Sequence, residues 1–322
     1  MSRNRAHFFA SLARLTGAGL PMEKAGQFLR DHSRDSDTLE AARALEDGIA
    51  QGGSIAGALR PSLSELEYRM IGAAENGGRL SDGFAHLEKY YTLLASARSR
   101  MRRLAMYPLL ILHVAALTSG VAAHMSGRPP LPAVAISVGI LWAVLLALYF
   151  LMRLTVVAAA KNSAADALLR ALPFVSPVWR NLALTRWSAV MHFHIISSQK
   201  FSTALESAAA ACGSATLASA TKRLAQKAAG GQSIAEAMQR EQVFPEFFAG
   251  GFATAEVTGN LDHETAAQTR TCMEAASTAM DVLAEWLPRL LYLAALAYGA
   301  WMVFQLVSGI GSQYQRALDG FQ

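Results

Sequence analysis

Three stretches without a single Asp, Glu, Lys or Arg limit this fold more than any other feature: Leu104–His124, Leu131–Met152 and Leu290–Ile310. Each has about 20 residues, enough at about 1.5 Å rise per residue to cross a hydrocarbon layer of about 30 Å as a helix. A single such run is also what a buried core helix looks like. Three of them in a chain with only 16% charged residues read as membrane spans, because a soluble domain carries about 25%.

The flanking charges orient the spans. Arg98, Arg100, Arg102 and Arg103 precede the first, Arg153 and Lys161 follow the second, and Arg289 precedes the third. The turn between the first two offers only Arg128, and the C-terminal tail only Arg316. Basic residues stay on the cytoplasmic side, so the N-terminus and the 161–286 region are expected in the cytoplasm. The expected order is a cytoplasmic domain (1–103), a span (104–124), a periplasmic hairpin (125–130) and a second span (131–157). A second cytoplasmic domain (158–286), a third span (287–310) and a periplasmic tail (311–322) complete it. The segment Met1–Leu20 is interrupted by Arg14 and Thr16 and is not read as a cleaved signal peptide. Tyr107 and Trp286 stand where interface anchors belong. His113 has two readings, a helix–helix contact or a proton relay. The net charge of +5 fits positive-inside residues, and no basic–aromatic interleaving suggests nucleic acid.

An internal duplication is the second constraint. Gly52-Gly53-Ser54-Ile55-Ala56-Gly57-Ala58-Leu59 is echoed by Gly230-Gly231-Gln232-Ser233-Ile234-Ala235-Glu236-Ala237-Met238, and Ala74-Glu75-Asn76-Gly77-Gly78-Arg79-Leu80 by Ala255-Glu256-Val257-Thr258-Gly259-Asn260-Leu261. Tyr107-Pro108, opening the first span, is echoed by Leu287-Pro288, opening the third. The three offsets are 179, 181 and 180 positions. Constant order and spacing make each unit a cytoplasmic helical domain followed by a span, with the middle span returning the chain to the cytoplasm.

The cytoplasmic segments are rich in Ala, Leu, Glu, Gln and Arg at helical spacing, and no strand is expected. The first repeated motif ends one helix and starts the next: Gly53 and Gly231 take the left-handed cap, while Ser54 and Ser233 cap the helix that follows. Ser64 with Glu67, and Ser233 with Glu236, have the spacing of capping boxes. The second motif repeats the device. Gly78 and Gly259 end a helix, Leu80 and Leu261 dock into the core, and Ser81 and Asp262 cap the next helix. Glu75 and Glu256 then lie at the helix end where the dipole disfavours a carboxylate, so something must compensate. Three readings stand open: a local hydrogen bond or ion pair fixing the turn, a partner contact, or a catalytic carboxylate.

No phosphate-binding loop or catalytic motif is visible, and no enzyme activity, cofactor or metal is expected. His192 and His194 are two positions apart and do not share a helix face. Cys212 and Cys272 lack zinc spacing and read as buried free thiols. The arginines at 98, 100, 102 and 103 suit anionic lipid or an acidic partner.

The duplicated Gly-x-Ser-Ile and Ala-Glu-x-x-Gly-x-Leu motifs, the Tyr107-Pro108 pair and Leu172-Pro173 resemble the type II secretion system F family, over about Phe9 to Ile310. These are inner-membrane platform proteins of type IV pilus and type II secretion machines. The resemblance implies an all-α bacterial inner-membrane protein, with a bundle of about six helices in each cytoplasmic domain and three transmembrane helices. It implies a scaffold that couples a hexameric cytoplasmic assembly ATPase to pilin or pseudopilin polymerisation. It further implies contacts with other inner-membrane assembly proteins and a homo-oligomer, and the short chain leans towards type IVb pili. The chain departs from the family in two places. Ala74 and Ala255 replace a usual Gly. The first unit keeps the usual Ala18-Gly19-Leu20-Pro21 start, and the second has Ser198-Gln199-Lys200-Phe201 there, without the glycine. A small transporter is the competing function, but it would call for midplane polarity that the spans lack.

Overall fold

The computed structural model describes residues 2–125 and 129–319; the expected hairpin residues Ser126, Gly127 and Arg128 fall outside it. The described residues are helical, with no strand among them. They fall into two compact units, one of Met1–Ser96 with Val156–Met280 and the other of Ala97–Thr155 with Asp281–Gln322.

The first unit holds both copies of the repeat. The first copy comprises α1 (Ser2–Gly17), α2 (Met22–His32), α3 (Ser36–Ala50), α4 (Ile55–Leu59), α5 (Glu65–Asn76) and the start of α6 (Leu80–Met125). After α7 (Pro130–Ala159) and α8 (Ser163–Ala171) comes the second copy: α9 (Ser176–Ile196), α10 (Phe201–Ala211), α11 (Ala215–Ala229), α12 (Ile234–Gln239), α13 (Glu246–Thr258) and the start of α14 (Leu261–Asp319). α2 and α10 begin 179 positions apart, as do α3 and α11, and α4 and α12. α6 and α14 begin 181 apart. α8 has no counterpart among the described residues of the first copy.

Capping residues explain these boundaries. Asp35 accepts from the Thr38 N–H at the start of α3, and Ser214 from the Leu217 N–H at the matching start of α11. Ser64 and Glu67 form a reciprocal capping box on α5. The expected second box is only half made. Ser233 accepts from the Glu236 N–H, but the Glu236 carboxylate turns to Arg240 at 3.8 Å. α6 and α14 start at Leu80 and Leu261, two residues earlier than caps at Ser81 and Asp262 would put them, so both lie inside the first turn. The Ser81 hydroxyl donates to the Ala13 carbonyl, which ties α6 to α1 instead of capping it.

Aromatic and aliphatic side chains fill each copy. In the first, fully buried Phe9 stacks on Phe84 and Tyr91. In the second, buried Trp187 makes edge contacts with Phe244, Phe248 and Phe252, and its indole N–H reaches the Thr221 hydroxyl at 3.0 Å. The copies pack on one another where α5 meets α9 and α10.

In the second unit, α6 and α7 each contain a segment long and apolar enough to cross a membrane. None of the most apolar window of α7 is buried. A soluble core helix would be covered, whereas Leu131, Ile136, Ile140, Leu148 and Leu154 are all exposed. The third run, Leu290–Ile310, lies within α14, part of whose side chains fall outside those described. α14 continues to Asp319, so the expected tail is helical to that point. α6 passes through Pro108 and α14 through Pro288 without ending.

Candidate functional site

The two repeated motifs form one arrangement in each copy. Glu75 sits in the last turn of α5, and its carboxylate crosses to the start of α4. Oε1 accepts from the Ile55 N–H at 2.6 Å and Oε2 from the Ala56 N–H at 3.0 Å. Glu256 does the same in the second copy: Oε1 accepts from Ile234 N–H at 3.1 Å, and Oε2 from Ala235 N–H at 2.9 Å and the Ser233 hydroxyl at 3.1 Å. Each carboxylate, awkward at the end of its own helix, satisfies the orphan N–H groups that open another. Both oxygens are engaged. The sequence presents these as separate motifs about 20 residues apart; the fold joins them.

Glycines set the turns. Gly78 and Gly259 have φ of 65° and 74°, where a side chain is strained. In the other motif the left-handed residues are Gly52 (φ 73°) and Gly231 (φ 74°). Gly53 was expected in that role and is not there. It stands one position later, its N–H bonded back to the Gly48 carbonyl at 2.9 Å. α3 ends at Ala50 with Gln51 as its C-cap, so the six-to-one hydrogen bond of the cap falls on Gly53 and the reversal on Gly52. Leu80 and Leu261 open α6 and α14 and are half-buried. Ser54 accepts from the Gly57 N–H at 3.0 Å.

The turn before α10 keeps its shape without glycine. Ser198 takes φ 52°, and the Gln199 N–H reaches the His194 carbonyl at 3.1 Å, as Leu20 reaches Leu15 at 3.0 Å around Gly19.

Sequence reading missed the groups that bind the copies together. Arg186 on α9 is half-buried, with its Nε donating to the Tyr90 hydroxyl at 2.7 Å and an Nη to the Cys212 carbonyl at 3.3 Å. The Ser197 hydroxyl donates to the Ala73 carbonyl at 2.7 Å. There the copies come so close that a Cβ on Gly77 would overlap Ser197. Asp166 on α8, fully buried, accepts from the Trp179 indole at 2.5 Å, the Ser214 hydroxyl at 2.8 Å and the Thr216 N–H at 3.0 Å. Burial alone would raise its carboxyl, but these donors outweigh that and hold it below the usual range. The only local signal was an acid among apolar neighbours.

His192 bonds through Nδ1 to the Asp262 carbonyl at 3.1 Å, while His194 meets Gln199 at 2.6 Å. Among the described residues no group of acids, histidines and cysteines could hold a metal. Burial pushes the Cys212 and Cys272 thiols up to about 11. In the second unit Arg98, Arg102 and Arg103 are exposed on α6, while Arg100 pairs with Asp281 on α14. His113 makes an edge ring contact with Trp142 on α7, centroids 5.8 Å apart.

Comparison with known proteins gives the same duplication. A family model described as type II secretion system (T2SS), protein F matches residues 8–125 and again 194–310. A curated relative, type II secretion system protein F of Xanthomonas campestris pv. campestris, is 27% identical over 110 residues. That alignment covers 33% of this chain and 27% of the relative.

Proposed function

This chain belongs to the type II secretion system protein F family, and from that premise we propose that it is a bacterial inner-membrane platform for a type IV pilus or type II secretion machine. The observation that carries this reading is the double family match, each copy running from a helical bundle into a long helix that contains a charge-free run of sequence. In this reading the platform is a scaffold without chemistry of its own. It couples a cytoplasmic hexameric assembly ATPase to the polymerisation of pilin or pseudopilin, as a homo-oligomer among other inner-membrane assembly proteins.

The topology belongs to the same proposal. Three spans, 104–124, 131–157 and 287–310, carry the cytoplasmic domains 1–103 and 158–286. The N-terminus lies in the cytoplasm, and the hairpin and tail lie in the periplasm. Charge asymmetry around the apolar runs supports this, as does the bare surface of α7. The arginines at 98, 102 and 103 then sit at the cytoplasmic membrane face, where each basic residue near anionic lipid contributes about 1 kcal/mol. The motifs around Glu75 and Glu256 fix the bundles' shape, and partners dock on the polar surfaces that those turns position.

The test is in-cell crosslinking of tagged full-length protein, with mass spectrometry of what is captured. Recovery of an assembly ATPase together with a pilin-like protein is the expected result, and the pilin's identity separates pilus from secretion system. Capture of transporter subunits in their place would overturn the platform reading.

A further inference from the structure

A cavity of about 280 Å³ opens within the first unit between α6, α9 and α14. Asp82, His86 and Lys89 on α6, His192 on α9, and Thr269 and Arg270 on α14 line it. Lys89 and Arg270 are 181 positions apart, the offset that relates α6 to α14, so they are one position of the duplicated unit seen twice. The equivalent pair Ala85 and Ala266 lines the same cavity. Matching faces of the two copies therefore meet here, as in a two-fold dimer, and a basic residue that faces the seam in one copy faces it in both.

Charge is not balanced in this space. No ion pair is formed by Lys89 or Arg270 among the described residues, and Asp82, the one acid on the wall, is already turned to Arg79 at 3.9 Å. Burial first, and then His192 and Lys89, push His86 down to about 4. Burial also lowers His192, whose Nδ1 is held by the Asp262 carbonyl, so Nε2 is its remaining nitrogen. Arg186 and Tyr90 line a smaller void adjoining His86 and add a further cation from α9. The groups around His86 are thus Asp82 and Lys89 on its own helix, His192 and Arg186 on α9, and Arg270 on α14. Lys89 and Arg270 are exposed at the mouth of the cavity, where water screens their repulsion, and together they give this open space the electrostatics of an anion receptor. The volume lies just below the ~300–1,000 Å³ of drug-sized pockets, which suits a small oxyanion with its water.

We propose that this seam cavity binds a soluble phosphate or pyrophosphate group, held by Lys89 and Arg270, one from each copy, with His86 and His192 as additional donors when protonated. The site does not depend on which machine the platform serves. Binding an anion favours the charged imidazoles, so affinity rises as pH falls towards 6.

Calorimetric titration of full-length protein in neutral detergent with inorganic pyrophosphate tests this at about pH 6 and about pH 8. Wild type should saturate at one site per chain and bind more tightly at the lower pH. Lys89→Gln and Arg270→Gln should each weaken binding at least about tenfold. The double variant, measured without ligand, should melt close to the wild-type temperature, because both side chains are exposed and neither forms an ion pair among the described residues. Equal binding by wild type and double variant would overturn the proposal, as would no saturable heat up to about 10 mM. A double variant that melts far below wild type would also overturn it, because the two cations would then be serving the fold. Titration with a short-chain phosphatidate is the second arm. Binding of that lipid without pyrophosphate would overturn a soluble ligand.

Discussion

The strain at Ser198 has a measurable size. Left-handed backbone costs an L-residue about 1–2 kcal/mol, partly offset by the extra freedom glycine has when unfolded. Ser198→Gly should therefore stabilise the detergent-solubilised protein by about 0.5–1 kcal/mol, read as a higher melting temperature. Gly78→Val and Gly259→Val should lose about 1–2 kcal/mol each for the converse reason; unchanged melting in both would refute the turn assignment. Glu75→Ala removes two charge-assisted bonds and Glu256→Ala three, each from a half-buried site, and each should cost about 1–3 kcal/mol. Acid should act through two kinds of group. Asp166 is held below its unfolded pKa, so its contribution is full above that value and lost as pH falls through the folded one. His86 is neutral in the fold down to about 4. Between the ordinary histidine value and about 4 the unfolded chain binds more protons, so stability falls with pH across that window. In His86→Gln the loss over that window should be shallower in a series of thermal melts.

At the scale of elements, much was legible because the signals are local. Asp35, Ser64 and Ser214 cap helices within three residues of themselves. The offsets of about 180 carried the pairing of the two copies. What escaped was joined across distance. Asp166 meets Ser214 and Thr216 from 48 and 50 positions away, and Arg186 meets Tyr90 from 96. No periodicity encodes such pairs. Gly53 was misplaced by one residue because two adjacent glycines offer two registers, and only the hydrogen bond back to Gly48 chooses between them. The Arg100–Asp281 pair between α6 and α14 is nearly half exposed on both sides, and such pairs contribute about 0–1 kcal/mol. Arg100→Ala should leave the melting temperature close to wild type; a large drop would show that the pair organises the helices around it.

For the whole molecule, packing puts its two thiols out of reach. Cys212 and Cys272 are buried and their thiolates disfavoured. A maleimide should label neither in the native protein at neutral pH and both after denaturation; rapid native labelling would contradict the packing around them. The seam between the copies also has a consequence in time. α5 belongs to the first copy, yet it is covered by α9 and α10, which the ribosome makes more than a hundred residues later. At about 5–20 residues per second, the surface around Ala73 and Gly77 waits several seconds to some tens of seconds for its cover. In that interval, on the proposed topology, α6 and α7 also find the bilayer. Anything that lengthens the pause, such as slow codons before α9 or a delayed insertion, leaves a half-made protein with an open flank, and a chaperone that recognises that flank would find its substrate there.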